Sequence, residues 1–437
     1  MYSLWTTCVA SLLALACDHA MAEPVKRPVP ALLRVMAQVI DEHPSVASQR
    51  AVLGGAEAAK AGAGWQYFPT PTVTVERAGS TANDPSYQGS STVVNVGLRQ
   101  LLWAGGRLQA GTARAQANVA ATEAAVQEAQ QQLALRVLQA WGDWLISTRK
   151  LAAYEQGLAL HDRLLRQVSR RVQEGQAAPS DSVLAQGRLA GLRAEHSALQ
   201  LQVRVGLAKL GALLGHPISP VELTDAEGPA PAPLAQPLTV EDLMARAQQQ
   251  APALVRLRAA VDALAATVDE RKADLQPEVY ARLERQIGNY SQAQDSAQTR
   301  VFVGLSSRFG AGLSSFSAVD EARSRQAAAQ AEIEVTRLAL DEQVLLDFAL
   351  LQQAQARITA LREAITGAQD VLDSWDRQYL AGRKTWQDLM SAAREVVQSE
   401  AQLADAQGAE LVAGWRLAVL TRGLPDLLTL TLPTRTP

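Results

Sequence analysis

Few residues in this sequence have the types and spacing that chemistry requires. His43, His161, His196 and His216 are dispersed along the chain and form no His-x-x-x-His pair. Cys8 and Cys17 both fall in an N-terminal apolar run, so spaced thiolates for zinc or redox work are lacking downstream. No glycine-rich phosphate loop links a strand to a helix. The reading is therefore not an enzyme, with no cofactor and no metal. Charge runs such as Asp269-Glu270-Arg271-Lys272 read as solvated helix faces. Two turns are richer in contact-forming groups. One runs from Gly175 to Ser180-Asp181; the other runs from Tyr379 through Gly382-Arg383-Lys384 to Asp388. Ser180 or Asp181, and Asp388, can cap helix N-termini after a glycine turn. Gly175 and Gly382 supply the turn geometry. Such groups hold and release contacts; they do not turn over a substrate.

The elements that present these turns are long helices. Val137, Trp144, Leu151, Leu158, Leu165 and Val172 are spaced seven residues apart, with Trp141 and Val168 between. The seam returns as Val344, Leu351, Ile358, Ile365, Leu372 and Tyr379, each 207 residues after its counterpart. A seven-residue repeat implies a left-handed supercoil against a neighbour. Further anchors keep an offset of 207 or 208: Pro44 with Pro252, Pro69 with Pro277, Gly97 with Gly304, Gly175 with Gly382, Asp181 with Asp388. The chain is thus read as an internal duplication. The first repeat covers 23–215, with strands about 72–78 and 92–99, a long helix about 106–174 and a return helix about 182–214. A Pro/Ala-rich linker, 216–237, follows. The second repeat covers 238–425, with strands about 279–286 and 299–306, a long helix about 313–381 and a return helix about 387–421. Residues 426–437 form a tail.

Composition gives an address. Leu4 to Ala16 is too short to span a bilayer and precedes Ala20-Met21-Ala22, so 1–22 reads as a cleaved signal peptide. Ala14-Leu15-Ala16-Cys17 is the alternative, a lipid-attachment box. Net charge is −3, which gives no basic field for nucleic acid. No later segment is apolar for long enough to make a transmembrane helix. An exported chain of this kind is either soluble in the periplasm or a β-barrel in the outer membrane. Each predicted strand has one apolar and one polar face. Four strands cannot close, and open edges do not survive in lipid. About eight strands are the minimum, so several chains must share one barrel; three copies would give twelve strands. Tyr67, Phe68 and Trp103 stand where strands meet helices, the position of an interfacial aromatic girdle. The long helices, amphipathic and about 100 Å in length, must project into the periplasm.

The order helix, strand, loop, strand, long helix, turn, helix, written twice, resembles the TolC outer membrane factor family over essentially the whole mature chain. Leu101-Leu102-Trp103-Ala104-Gly105-Gly106-Arg107 is similar to its segment after the second strand. Arg171 through Asp181 and Tyr379 through Asp388 are similar to its two periplasmic turns. The resemblance implies a mainly α fold with a small β part: tandem-duplicated long helical hairpins in an α-barrel, and a trimeric 12-stranded transmembrane β-barrel in outer membrane lipid. It also implies a homotrimer working with a periplasmic adaptor protein and an inner-membrane ABC exporter or RND pump. At the tips it implies a latch pairing Tyr379 with Asp181 and Lys384 with Ser180, a constriction carboxylate at Asp388, and adaptor contacts at Gly175, Gly382 and Arg383. The family's second acidic position is Ser391 here. The stretch Trp375 to Leu389, with its Ala-Gly-Arg-Lys and Trp386, looks like the branch serving type I secretion of large adhesins. Drug or metal efflux is the alternative, and a soluble periplasmic coiled-coil scaffold a second one.

Overall fold

The computed structural model describes residues 31–79, 87, 89–227, 239–291, 297–307 and 310–429. The proposed signal peptide, both cysteines, much of the first hairpin loop, residues 228–238 of the linker and 430–437 of the tail lie outside the described residues.

Two short helices open each half. α1 (Ala31–Glu42) has a strongly one-sided apolar face, with Leu32, Met36, Val39 and Ile40 buried. α2 (Pro44–Trp65) begins at a proline whose missing N–H is harmless in a first turn. His43 caps it, its Nδ1 accepting from the Ser45 amide at 3.1 Å. α5 (Val240–Gln250) and α6 (Pro252–Ala273) repeat this arrangement, with a Thr239–Asp242 capping box on α5 and Pro252 opening α6.

Four strands follow the two helical pairs: β1 (Thr70–Arg77), β2 (Thr92–Trp103), β3 (Glu278–Ile287) and β4 (Gln298–Ser306). They form one antiparallel sheet in the order β1-β2-β3-β4, so the β2–β3 pairing joins the two halves of the chain. Register puts Thr72, Gly97 and Glu284 on one face, and Val73, Val96 and Arg285 on the other. The apolar face is bare: Val73, Val75, Val301, Val303 and Leu305 are 63–74% exposed. The opposite face carries Thr74, Asn95, Arg99, Arg282, Glu284 and Arg300. The outer edges of β1 and β4 have no partner strand among the described residues.

The long helices are α3 (Arg107–Gln173), α4 (Pro179–Leu214), α7 (Ser314–Leu380) and α8 (Trp386–Arg422). α3 packs on α4 and on α8, and α8 packs on α7, giving the lateral order α4, α3, α8, α7. Small residues allow the close approaches. A Cβ on Gly206 of α4 would lie 2.9 Å from the Trp144 Cα, and one on Gly157 of α3 would lie 2.5 Å from the Val397 Cγ2. The main core gathers the apolar face of α1, residues 133–145 of α3, Leu210 of α4 and Trp415 of α8. A second core fills the far end, with Leu164, Val168, Leu372, Tyr379, Trp386 and Leu389.

The element bounds depart from the sequence reading in several places; β2, for one, runs on to Trp103 and does not stop near 99. The linker is partly ordered: Pro220–Glu227 forms a 3₁₀ helix, and Leu223 is buried against the α1 core because it is the one large apolar side chain of that segment that can reach it. The tail begins with a short helix, α9 (Leu424–Thr429), whose Leu427 is fully buried. Neither Ser180 nor Asp181 is the N-cap of α4; Ala178 holds that position, Pro179 starts the helix, and no side chain caps it. Proline at the first helical position pulls the boundary forward, which leaves Ser180 and Asp181 inside the first turn.

Candidate functional site

Both helix tips are built by the same local rule. α3 ends with Gly175 at φ 74°, and α7 with Gly382 at φ 73°. Gln176 N donates to Arg171 O at 2.8 Å and Gly175 N to Val172 O at 3.1 Å; Arg383 N and Gly382 N repeat this with Gln378 O and Tyr379 O. These are Schellman closures, which need a residue comfortable in the left-handed region. Nothing lies within 4 Å of a Cβ at either glycine, so both tips face open space.

The return sides differ. α8 starts with a full capping box: the Asp388 amide donates to Thr385 Oγ1 at 3.2 Å, and the Thr385 amide donates to Asp388 Oδ2 at 3.3 Å. The Thr385 hydroxyl adds a bond to the same carboxylate at 2.8 Å. These bonds, with the Lys384 charge, hold the Asp388 carboxyl below the usual carboxylate range. Asp388 is therefore a first-turn carboxylate tied to its own helix. At the equivalent of Thr385 the first tip has Ala178, which explains its missing cap.

Tyr379 is buried, 4% exposed, in the tip core. The Arg171 guanidinium from α3 lies 4.5 Å above its ring and donates to the Leu380 carbonyl at 3.3 Å. Burial pushes the Tyr379 hydroxyl pKa up; Arg171 pulls it down, and the Asp181 charge raises it. Asp181 thus stands close enough to act on Tyr379 through its field, while the contacting group is Arg171. Lys384 sits 4.1 Å over the Trp375 ring and 3.9 Å from Asp388 Oδ2. Ser180 is exposed on α4 and makes no hydrogen bond to Lys384 among the described residues. Arg171 and Trp375 are the tip residues that sequence reasoning did not assign. The only signal in the sequence was the presence of cations and aromatics at both tips; which cation meets which ring does not follow from spacing.

At the opposite end, Tyr67, Phe68 and Trp103 are 41%, 59% and 49% exposed beside the sheet. Trp65 joins them, its ring 5.3 Å from Phe68. Tyr87 and Tyr290 pair at 6.0 Å near the hairpin loops, so aromatics stand at both ends of the sheet. Among the described residues no helix is long and apolar enough to cross a membrane, and no group of His, Cys, Asp and Glu could hold a metal.

A sheet with one bare apolar face, a polar opposite face and two unpaired edges, mounted on helices of about 100 Å, defines the subunit of a channel that traverses a bilayer and extends away from it. The chain belongs to the outer membrane efflux protein family, whose profile matches residues 35–216 and 243–421. It is 22% identical over 357 residues to the outer membrane efflux protein BepC of Brucella suis, covering 80% of this chain and 75% of BepC. Its fold matches that of the outer-membrane channel OprN, with a TM-score of 0.75 at 20% identity and 90% of each chain covered. It also matches the outer membrane protein VceC of Vibrio cholerae, with a TM-score of 0.74 at 17% identity, covering 90% of this chain and 96% of VceC. The protein is accordingly an outer membrane channel component with a helical periplasmic part, and not an enzyme.

Proposed function

We propose that this chain forms a homotrimeric channel-tunnel that receives cargo from an inner-membrane transporter through a periplasmic adaptor, and that the transporter is an ABC exporter of a type I secretion system carrying a large adhesin or similar protein. The observation that carries the assembly is the pair of open edges. β1 and β4 leave the sheet unfinished at both sides, and α4 and α7 leave the helical layer unfinished at the same two sides. Both edge helices carry exposed apolar residues: Val183, Leu184 and Leu201 on α4, and Leu338 and Leu345 on α7. Unlike edges that meet head to tail close a ring when the rotation allows it. Three copies would then give twelve strands, a size within the range of membrane barrels.

In this reading the exposed apolar strand residues face lipid, and Tyr67, Phe68 and Trp103 sit at its boundary. The tips form the entrance, with Gly175, Gly382 and Arg383 open to the adaptor. Tyr379, Asp181, Lys384, Ser180 and Asp388 form the gate, Ser180 and Asp181 reaching across subunit boundaries to make the pairs absent within one chain. The support for type I secretion is the segment Trp375 to Leu389. Supply to a drug or metal pump, an RND system, is the second reading, favoured by the name of BepC. Deleting the gene distinguishes the two. The expected outcome is loss of a large surface protein with drug and metal sensitivity unchanged; intact surface protein with raised sensitivity would establish efflux instead.

A further inference from the structure

A groove of about 410 Å³ lies over α3 where α4 and α8 flank it. Its floor is His161, which is 1% exposed. The imidazole Nδ1 is 3.0 Å from the Gly157 carbonyl. A carbonyl only accepts, so Nδ1 carries the proton, and in the neutral ring Nε2 is left as a bare lone pair. The groove wall from α4 supplies Arg188, Gly191, Leu192 and Glu195; the wall from α8 supplies Arg394, Val397 and Gln398. Arg188 and Arg394 have no carboxylate partner among the described residues. Glu195 is the one acid in the lining, and the nearby Glu155 is taken up by His196 at 3.5 Å. Two guanidiniums against one carboxylate, on either side of a buried imidazole, leave the groove with a net positive charge.

We propose that this groove binds a small oxyanion of the sulfate or phosphate class between Arg188 and Arg394, and that binding draws a proton onto His161. Guanidinium groups present forked donors that suit tetrahedral oxyanions. The third donor would be the Nε2–H that exists only once the imidazole is charged. Without the anion, burial first, and then the Arg188 and Arg394 charges, hold the His161 pKa below its ordinary value of 6.5. An anion between the two arginines cancels their repulsion and adds an acceptor for Nε2–H. It therefore raises the imidazole pKa, and the sign follows by linkage: affinity increases as pH falls through the interval between the two values. Tyr154, Glu195 and Gln398 also face the groove. The site is independent of the export reading, since it asks only for the folded helical part.

Sulfate is the probe of choice because its charge is constant over the range. Equilibrium dialysis of labelled sulfate against the full-length protein in detergent, at pH 5.5 and 7.5, should show one saturable site per chain. Binding should weaken by up to about tenfold per pH unit, the limit for one linked proton. Arg188→Gln with Arg394→Gln, both at exposed positions, should abolish it at either pH. His161→Gln should bind weakly and without pH dependence. Absence of saturable binding, wild-type binding that ignores pH, or binding that survives loss of both arginines would each overturn the proposal.

Discussion

Arg171 bridges the ends of α3 and α7 at the tip. Its guanidinium spans from α3 to α7, covering the Tyr379 ring and binding the Leu380 carbonyl. Cation–π contacts of this sort contribute roughly 0.5–2 kcal/mol, the larger figure when desolvated. Arg171→Ala should therefore loosen the tip and raise single-channel conductance in planar bilayers. Tyr379→Phe should do less, because it keeps the ring and removes only a hydroxyl. Equal effects of the two, or none from Arg171→Ala, would show that the ring–cation contact does not hold the tip. Thr385→Ala removes the hydroxyl that accepts from the Asp388 amide and donates to its carboxylate, leaving only the backbone-amide bond, and should fray the start of α8, by about 1 kcal/mol as seen in local hydrogen exchange. Fixed protection in the first turn would contradict that. These particular contacts were only half legible beforehand. Tyr379, Lys384 and Asp388 can be picked out by their place beside a glycine turn, but which side chain each one touches depends on helix rotation. Spacing along one helix does not fix rotation against another.

At the scale of elements, duplication and period were fully visible, and the buried lines were not. On α7 the seam residues Val344, Leu351, Ile358, Leu372 and Tyr379 are buried as the seven-residue spacing implies. On α3 the lower seam, Leu151, Leu158, Leu165 and Val172, is half-buried, and the line through Ala153, Gly157, His161, Leu164 and Val168 is buried instead. The reason is that α3 touches α4 and α8 at once, and it does so through small residues, which a search for large apolar side chains passes over. His161 reads from the sequence as one of several scattered histidines for the same cause. The glycines test this account. Gly206 sits against the Trp144 backbone, so Gly206→Val has no flexible neighbour to displace. It should destabilise the α3–α4 pair by about 1–3 kcal/mol, the usual range for overpacking. Gly191→Val, with open space around it, should be close to neutral. Thermal or denaturant unfolding that ranks the two alike would refute the close approach.

At the scale of the whole molecule, one chain is an unfinished object. Its sheet ends in two bare strand edges and its helical layer in two apolar faces, all on the same two sides. The order of the four strands was not legible from sequence, because the pairing of β2 with β3 joins segments separated by nearly half the chain. The need for more copies was legible, from strand count alone. The most direct measurement is cross-linking of an edge pair. A Thr72→Cys, Arg300→Cys double variant places one thiol on β1 and one on β4, both on the polar face and at opposite sides of the sheet in a single chain. With a short flexible bis-maleimide in detergent or outer membranes, the account predicts a ladder of one, two and three chains that stops at three. Linkage confined to single chains, or a ladder with no upper limit, would contradict it.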